Sequence, residues 1–254
     1  MAKVQEELGK MFKTFSSNFD DEQLDKFIED SERIMRRPAE LLLKQAGLDA
    51  ATSTRFALNL VNTLKRRAEK EKWINVETAV LDAQDSGLPA SSFSHVTINF
   101  AMHVIPDPGA VLQEAMRVLQ PGGTLAFTVW HRDNLGWVPD MASCFEALPF
   151  EAPMLSPVPM APNGKTEFID PDLVPEQLRR CGFEDVEVQT AEHIVRMESA
   201  ADYLRNFAMM RDWMMRAYWS EDSMEKAKGM GPVMDTGSGD VPEAEQMMLP
   251  VATG

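Results

Sequence analysis

The feature that most constrains this chain is a strand–helix–strand pattern between residues 94 and 131. SHVTINFAMHV is rich in β-branched and apolar residues and runs into the turn Pro106-Asp107-Pro108. Gly109 to Gln120 then places Val111, Leu112, Ala115, Met116 and Leu119 on one helical face, and Pro121-Gly122-Gly123 stops that helix. TLAFTVWH follows as a second strand. Strands joined through a crossover helix run parallel, and strands this uniformly apolar need cover on both faces. The pattern predicts an α/β fold on a parallel sheet.

The flanking segments fit that plan. NVETAVLDA reads as a short strand that stops at Asp82. Upstream, Glu22 to Gly47 is helical, with a second start at Pro38 and a stop at Gly47. A further helix over about 55–72 carries Lys65, Arg66, Arg67, Lys70 and Lys72, the pattern of a solvated face. Downstream of His131 comes a proline-rich stretch in which Trp137, Phe145, Phe150 and Phe168 argue for an ordered insert. Asp172 to Cys181 reads as helix, GFEDVEVQT as strand, and Ser199 to Trp219 as a helix with Tyr203, Phe207, Met210, Met214 and Tyr218 at steps of three and four. From Ser220 onward seven acids face two lysines, and Gly237-Ser238-Gly239 follows, so a mobile tail is expected. The chain divides into a helical cap (1–49), a core with the insert 132–171 (50–190), and a lid helix with an acidic tail (191–254).

Charge narrows the partners. Forty acidic against 25 basic residues give a net charge of −15, which repels phosphate backbones and anionic surfaces, so neither nucleic acid nor a membrane is an expected partner. The longest stretch without Asp, Glu, Lys or Arg, Ser86 to Pro106, is punctuated by Ser, Pro, Asn and His and cannot span a bilayer. Two cysteines, Cys144 and Cys181, make neither a disulfide scaffold nor a thiolate metal site. A cytoplasmic setting with no bound metal is the expectation.

Residues 76–188 carry an ordered set of short motifs: Asp82-Ala83, Leu88-Pro89, Phe93, Asn99 to His103, Arg117-Val118-Leu119-Gln120-Pro121-Gly122-Gly123, and Cys181-Gly182-Phe183-Glu184-Asp185-Val186. In order and spacing this set resembles class I S-adenosylmethionine-dependent methyltransferases of the ubiquinone/menaquinone-biosynthesis-like (type 11) group, which also methylates small natural products. The resemblance implies a Rossmann-like sheet with the cofactor at the carboxyl ends of its strands. It implies S-adenosylmethionine as cofactor, with Asp82 and Ala83 at the adenine and Asn99, Phe100 and His103 beside the methionine part. Methyl transfer from a sulfonium is an in-line displacement helped mostly by orientation, so a base matters only where the acceptor loses a proton. His103 and His131, each at a strand end, are the candidate bases, His103 ahead of His131, with a hydrogen-bonded structural histidine as the alternative for either. His95 and His193 lie away from those ends and receive no role. Trp130, Trp137, Met209, Met210, Trp213 and Met214 are the candidate apolar wall for a flat acceptor, with plain core as the alternative.

One element of the family is missing. A Gly-rich loop after strand one should follow Leu48-Asp49, because only glycine lets the backbone approach the cofactor's carboxylate end. The chain runs instead through Ala50-Ala51-Thr52-Ser53-Thr54-Arg55 into a helix. Strand one, helix A and strand two are absent, roughly 35–45 residues on usual unit lengths. The expected fold is therefore an incomplete Rossmann-like methyltransferase sheet with one strand edge exposed. The functional expectation is methyl transfer to a natural-product or quinone-like small molecule in secondary metabolism. The alternative is a catalytically inactive methyltransferase-like subunit, with the exposed edge serving a homodimer or an intact paralogue.

Overall fold

The computed structural model describes residues 21–48, 65–74, 76–134, 136–154, 160–161, 163–197, 199–229 and 242–253. Helix α1 (Asp21–Gln45) comes first and is continuous through Pro38. The second start expected at Pro38 is not a break, because Ile34, Pro38 and Leu42 are all buried along one stripe and that burial holds the turn despite the lost backbone bond. Gly47, at φ 74°, ends the segment. The Leu48 N–H donates to the Leu43 carbonyl (2.9 Å) and the Gly47 N–H to the Lys44 carbonyl (3.1 Å), the paired bonds of a left-handed helix stop. Residues 65–70 are helical; Lys65 and Lys70 face solvent, while Arg67 pairs with Glu32 of α1.

The strand–helix–strand is present as β1 (Phe93–Asn99), α2 (Pro108–Val118) and β2 (Leu119–Trp130). Asp107 caps α2 by accepting from the Ala110 N–H at 3.1 Å, with Pro108 at the first helical position. β1 and β2 pair in parallel from His95↔Thr124 to Asn99↔Thr128. Pro121-Gly122-Gly123 bulges the start of β2, and a Cβ on Gly123 would lie 2.8 Å from the Gln120 carbonyl and 3.1 Å from that of Ser94, so only glycine fits against β1.

Both faces of β2 are covered. Leu125, Phe127 and Val129 pack on Val111, Leu112 and Ala115 of α2 and on Val174 and Leu178 of α4 (Val174–Arg180), while Ala126 packs on Leu42 and Ala46. The insert is ordered where described: α3 (Val138–Glu146) buries Met141 and Phe145, and a 3₁₀ turn at Thr166–Phe168 buries Phe168. β3 (Glu184–Arg196) follows, then α5 (Ala200–Asn206) and α6 (Ala208–Tyr218), split at Phe207 where a single helix was expected. A second core joins Ile34 of α1 to Trp137, Met141, Phe145, Tyr203, Phe207, Trp213, Met214 and Trp219.

Two further expectations, both about strands, are corrected. The segment after α7 (Glu221–Gly229) is not simply a loose tail, because Pro242–Thr253 forms β4, inserted antiparallel between β2 and β3 in the order β1-β2-β4-β3. The Gly237-Ser238-Gly239 run lies outside the described residues. Residues 76–81 form no strand, and Val80 is 53% exposed. A third strand in this architecture pairs on the second, which the sequence lacks, and an isolated extended segment has no ladder to satisfy its backbone. Among the described residues nothing pairs with the outer edge of β1, and no helix is long and apolar enough to cross a membrane.

Candidate active site

β1 ends at Asn99, and Phe100 turns the chain at φ 49°, a left-handed conformation that a bulky side chain keeps only where its surroundings over-determine it. Thr128 of β2 supplies that constraint. Its fully buried hydroxyl donates to Asn99 Oδ1 (2.6 Å) and accepts from the Phe100 N–H (2.9 Å), which also donates to the Thr128 carbonyl (3.1 Å). The Phe100 and Trp130 rings then lie together, centroids 4.2 Å apart and tilted by 31°. Sequence reasoning missed Thr128; a hydroxyl interrupting the apolar run Leu125–Trp130 is the signal for it.

The chain continues through the buried turn Ala101–Val104. Asn163, from the insert, clamps this turn: its Nδ2 donates to the carbonyls of Met102 (3.1 Å) and Ile105 (2.7 Å). Asn163 was also missed, although Asn163-Gly164 is a strong turn signal. His103 sits inside the clamp, 5% exposed, and its Nδ1 is buried without a hydrogen-bond partner. Burial pushes the imidazole down to about 4, so it is neutral at physiological pH.

Asp82 and Ala83 lie on an exposed turn rather than at the end of a strand. Asp82 Oδ1 accepts from the Gln84 backbone N–H (2.9 Å) and Nε2 (3.1 Å), and these donors hold its carboxyl below the usual carboxylate range. The turn is tied to the site by the Asp107 N–H donating to Gln84 Oε1 at 3.1 Å. Glu114 of α2 anchors the rest of the loop, accepting from the Ser86 N–H (2.9 Å) and hydroxyl and from Arg117 Nε (2.7 Å) and Nη2 (2.6 Å). Arg117 also donates to the Leu88 carbonyl at 2.8 Å. The Arg117 guanidinium holds the Glu114 carboxyl at about 2 despite burial, with the Ser86 donors adding to the effect. Glu114→Gln is expected to cost about 1–2 kcal/mol. Hydrogen exchange at Ser86 checks it, and an unchanged rate there would refute the anchoring role.

His131 Nδ1 accepts from the Asp133 N–H at 3.1 Å, which places the proton of the neutral ring on Nε2. Of the candidate wall, Trp130 and Met210 are half-buried, whereas Trp137, Trp213 and Met214 are enclosed in the second core. For those three the plain-core alternative describes what the structure shows. The Met209 side chain lies outside the described residues. Asn99 and Phe100 thus meet Thr128 and Trp130 at the end of β1, His103 lies in the turn that follows, and the Asp82-Ala83 turn is tethered through Gln84 to Asp107.

Residues 37–127 match the model of the methyltransferase domain family. Over that stretch the chain is similar to methyltransferase domains. The family's cofactor is S-adenosylmethionine. The methyltransferase tpcH of Aspergillus fumigatus is 34% identical over 136 residues, 52% of this chain and 46% of that protein. A demethylmenaquinone methyltransferase of Listeria welshimeri is 34% identical over 87 residues, 34% of this chain and 37% of that protein. The chain therefore spans less than half the length of either relative. Among solved structures, the YcgJ protein of Bacillus subtilis superposes with a TM-score of 0.50 over 81% of this chain and 82% of that one; at 11% identity this likeness shows the fold alone.

The family's cofactor fits the residues present only in part. The Asp82-Ala83 turn and the Asn99–Phe100 corner are the residues for which the resemblance implies contact with the adenine and methionine parts. Among the described residues no strand borders β1 on the side where a Gly-rich loop would meet the amino-acid end. Ala50 to Arg55, the sequence that replaces that loop, lies outside the described residues.

Proposed function

We propose that this methyltransferase domain serves methyl transfer from S-adenosylmethionine to a small, flat, largely apolar acceptor of natural-product or quinone type, and that the cofactor site is complete only with a strand-one segment restored. The observation that carries this reading is the Asn99–Phe100 corner. Thr128 locks it, and the Phe100–Trp130 pair stands at the carboxyl end of β1 beside an aromatic cap. The cofactor would supply an electrophilic methyl carbon. This chain's residues would orient the acceptor on an apolar surface and keep water away. A proton, where the acceptor must lose one, falls to His103, because the Nδ1 of His131 is already occupied. The demethylmenaquinone methyltransferase among the relatives supports a ring-shaped acceptor.

The second reading is a non-catalytic subunit. It draws on the outer edge of β1, which pairs with nothing among the described residues. Isothermal titration with S-adenosylmethionine separates the two readings. The expected result is no binding by the chain as it stands and saturable binding once a Gly-rich segment is inserted between Asp49 and Phe56. A restored chain that folds, by circular dichroism, and still binds no cofactor would sink the enzyme reading; saturable binding by the chain as it stands would sink the other.

A further inference from the structure

The sheet ends in two edges, β1 and β3, and they are protected unequally. β3 carries Glu184, Asp185, Glu187, Glu192 and Arg196, the kind of charged residue with which an edge strand ordinarily deters further pairing. β1 carries no Asp, Glu, Lys or Arg and no proline. The whole stretch from Ser86 to Pro106 is without such charges in a chain of net charge −15, so a second copy approaching there meets less repulsion than a surface of average charge would give.

The backbone groups on that edge follow from those on the other side. The Phe100 N–H donates to the Thr128 carbonyl, and the Ser94 carbonyl lies against Gly123, so both point toward β2. Strand backbone alternates, so the N–H and C=O of His95, Thr97 and Asn99 point the other way. Among the described residues no strand receives them.

An antiparallel ladder between two copies, with its twofold axis at Thr97, matches like with like. Thr97 faces Thr97 of the second copy, and His95 faces Asn99 of the second copy; each is a pair of outward-pointing residues that exchanges two backbone bonds. On the opposite face Val96 falls beside Ile98 of the second copy, extending the apolar side that packs on the sheet core. Thr–Thr and β-branched pairs directly across from each other stabilise such a ladder.

We propose that the open edge of β1 is a homodimer interface, in which two copies pair antiparallel about Thr97 and each β1 fills the side of the other where the family's missing strand would lie. The pairing is isologous and consumes both open β1 edges, so it closes at two chains. The inference rests on the open edge from which the non-catalytic reading is drawn, and it commits that edge to one partner. Its test contains no cofactor, so its failure and the failure of that reading are told apart.

Light scattering with the full chain across a dilution series is expected to give twice the mass of one chain, falling to that of one on dilution. Thr97→Pro removes an N–H that points away from β2, so the β1–β2 ladder keeps its bonds while the central pair of the interface loses both of its own. The dissociation constant is expected to rise about thirtyfold, the worth of two neutral hydrogen bonds. Because Thr97→Pro could fail to fold, amide hydrogen exchange of the unaltered chain gives a second readout. The Thr97 and Asn99 amides are expected to gain protection as concentration rises, whereas Ile98, whose N–H points to β2, is protected throughout. A chain that stays monomeric, an assembly larger than two, a folded Thr97→Pro variant that dimerises as before, or Thr97 protection unaffected by dilution would each overturn the proposal. The last outcome would show the edge covered by this chain itself.

Discussion

Asp202→Ala is expected to remove about 3–5 kcal/mol of unfolding free energy, toward the lower end because its partners are partly solvated. Asp202 is the hub that fastens α1 to α5. Arg33 Nη1 and Nη2 each donate to one of its oxygens at 2.7 Å, Arg205 Nη2 donates at 2.5 Å, and Asn206 Nδ2 donates to Oδ1 at 3.1 Å. Arg205 reaches on to Asp30 at 2.8 Å, and the Asp202 side chain is only 5% exposed. Removing the carboxylate takes a partner from two guanidinium groups at once and leaves both leaning on Asp30. The Asp202 N–H donates to the Ser199 hydroxyl at 3.1 Å, a backbone bond the alanine keeps, so the helix cap survives and the loss reports on the charges. Urea unfolding at neutral pH measures it. A change under about 1 kcal/mol would show that α1 and α5 are held by Ile34 and its apolar neighbours instead.

The second large effect is a loss of stability as pH falls. His103 has its folded value depressed to about 4 from 6.5 by burial, so the unfolded chain binds the proton first. Its contribution is intact above pH 6.5, declines as pH drops, and is spent once pH passes about 4. Over that window the loss is about 3 kcal/mol, at 1.36 kcal/mol per pH unit. Carboxylates such as Glu114 begin to act only near pH 4.5, at the foot of this range. Unfolding free energies of the chain and of His103→Gln at several pH values between 7 and 4 check the assignment. The variant is expected to show a flatter profile; parallel profiles would mean that the ring keeps access to water.

How much of this was legible in the sequence depends on how far each interaction reaches. β1, α2 and β2 could be read because their periodicity and punctuation are local, and Gly47 and Asp107 could be read because a helix stop and a cap involve near neighbours. β4 could not. Pro242, Glu243, Glu245 and Pro250 obscure any strand pattern, and the segment becomes a strand because β2 and β3 offer it a slot. The opposite failure occurred at 76–81, where a plausible strand sequence finds no neighbour. Asn99, Phe100 and His103 lie at the end of β1 and in the turn after it because they are near neighbours in sequence. Thr128, Asn163 and Asp202, which hold the surroundings, act on residues far away in the chain, so the local signals at Thr128 and Asn163 mark the residue but not its partner.

β4 also sets an order of assembly. Among the described residues β3 has β4 as its only ladder partner, and Thr124 of β2 meets Thr253 across half the chain. During synthesis β1, α2 and β2 can dock as a local unit soon after they emerge, whereas β3 has no seat in the sheet until residues 242–253 arrive. Until then the nascent chain presents two unpaired edges, those of β1 and β2, and the later closure removes only that of β2. The last strand in chain order is thus the keystone, and the interval before it sets is when the chain is most open to pairing with something else.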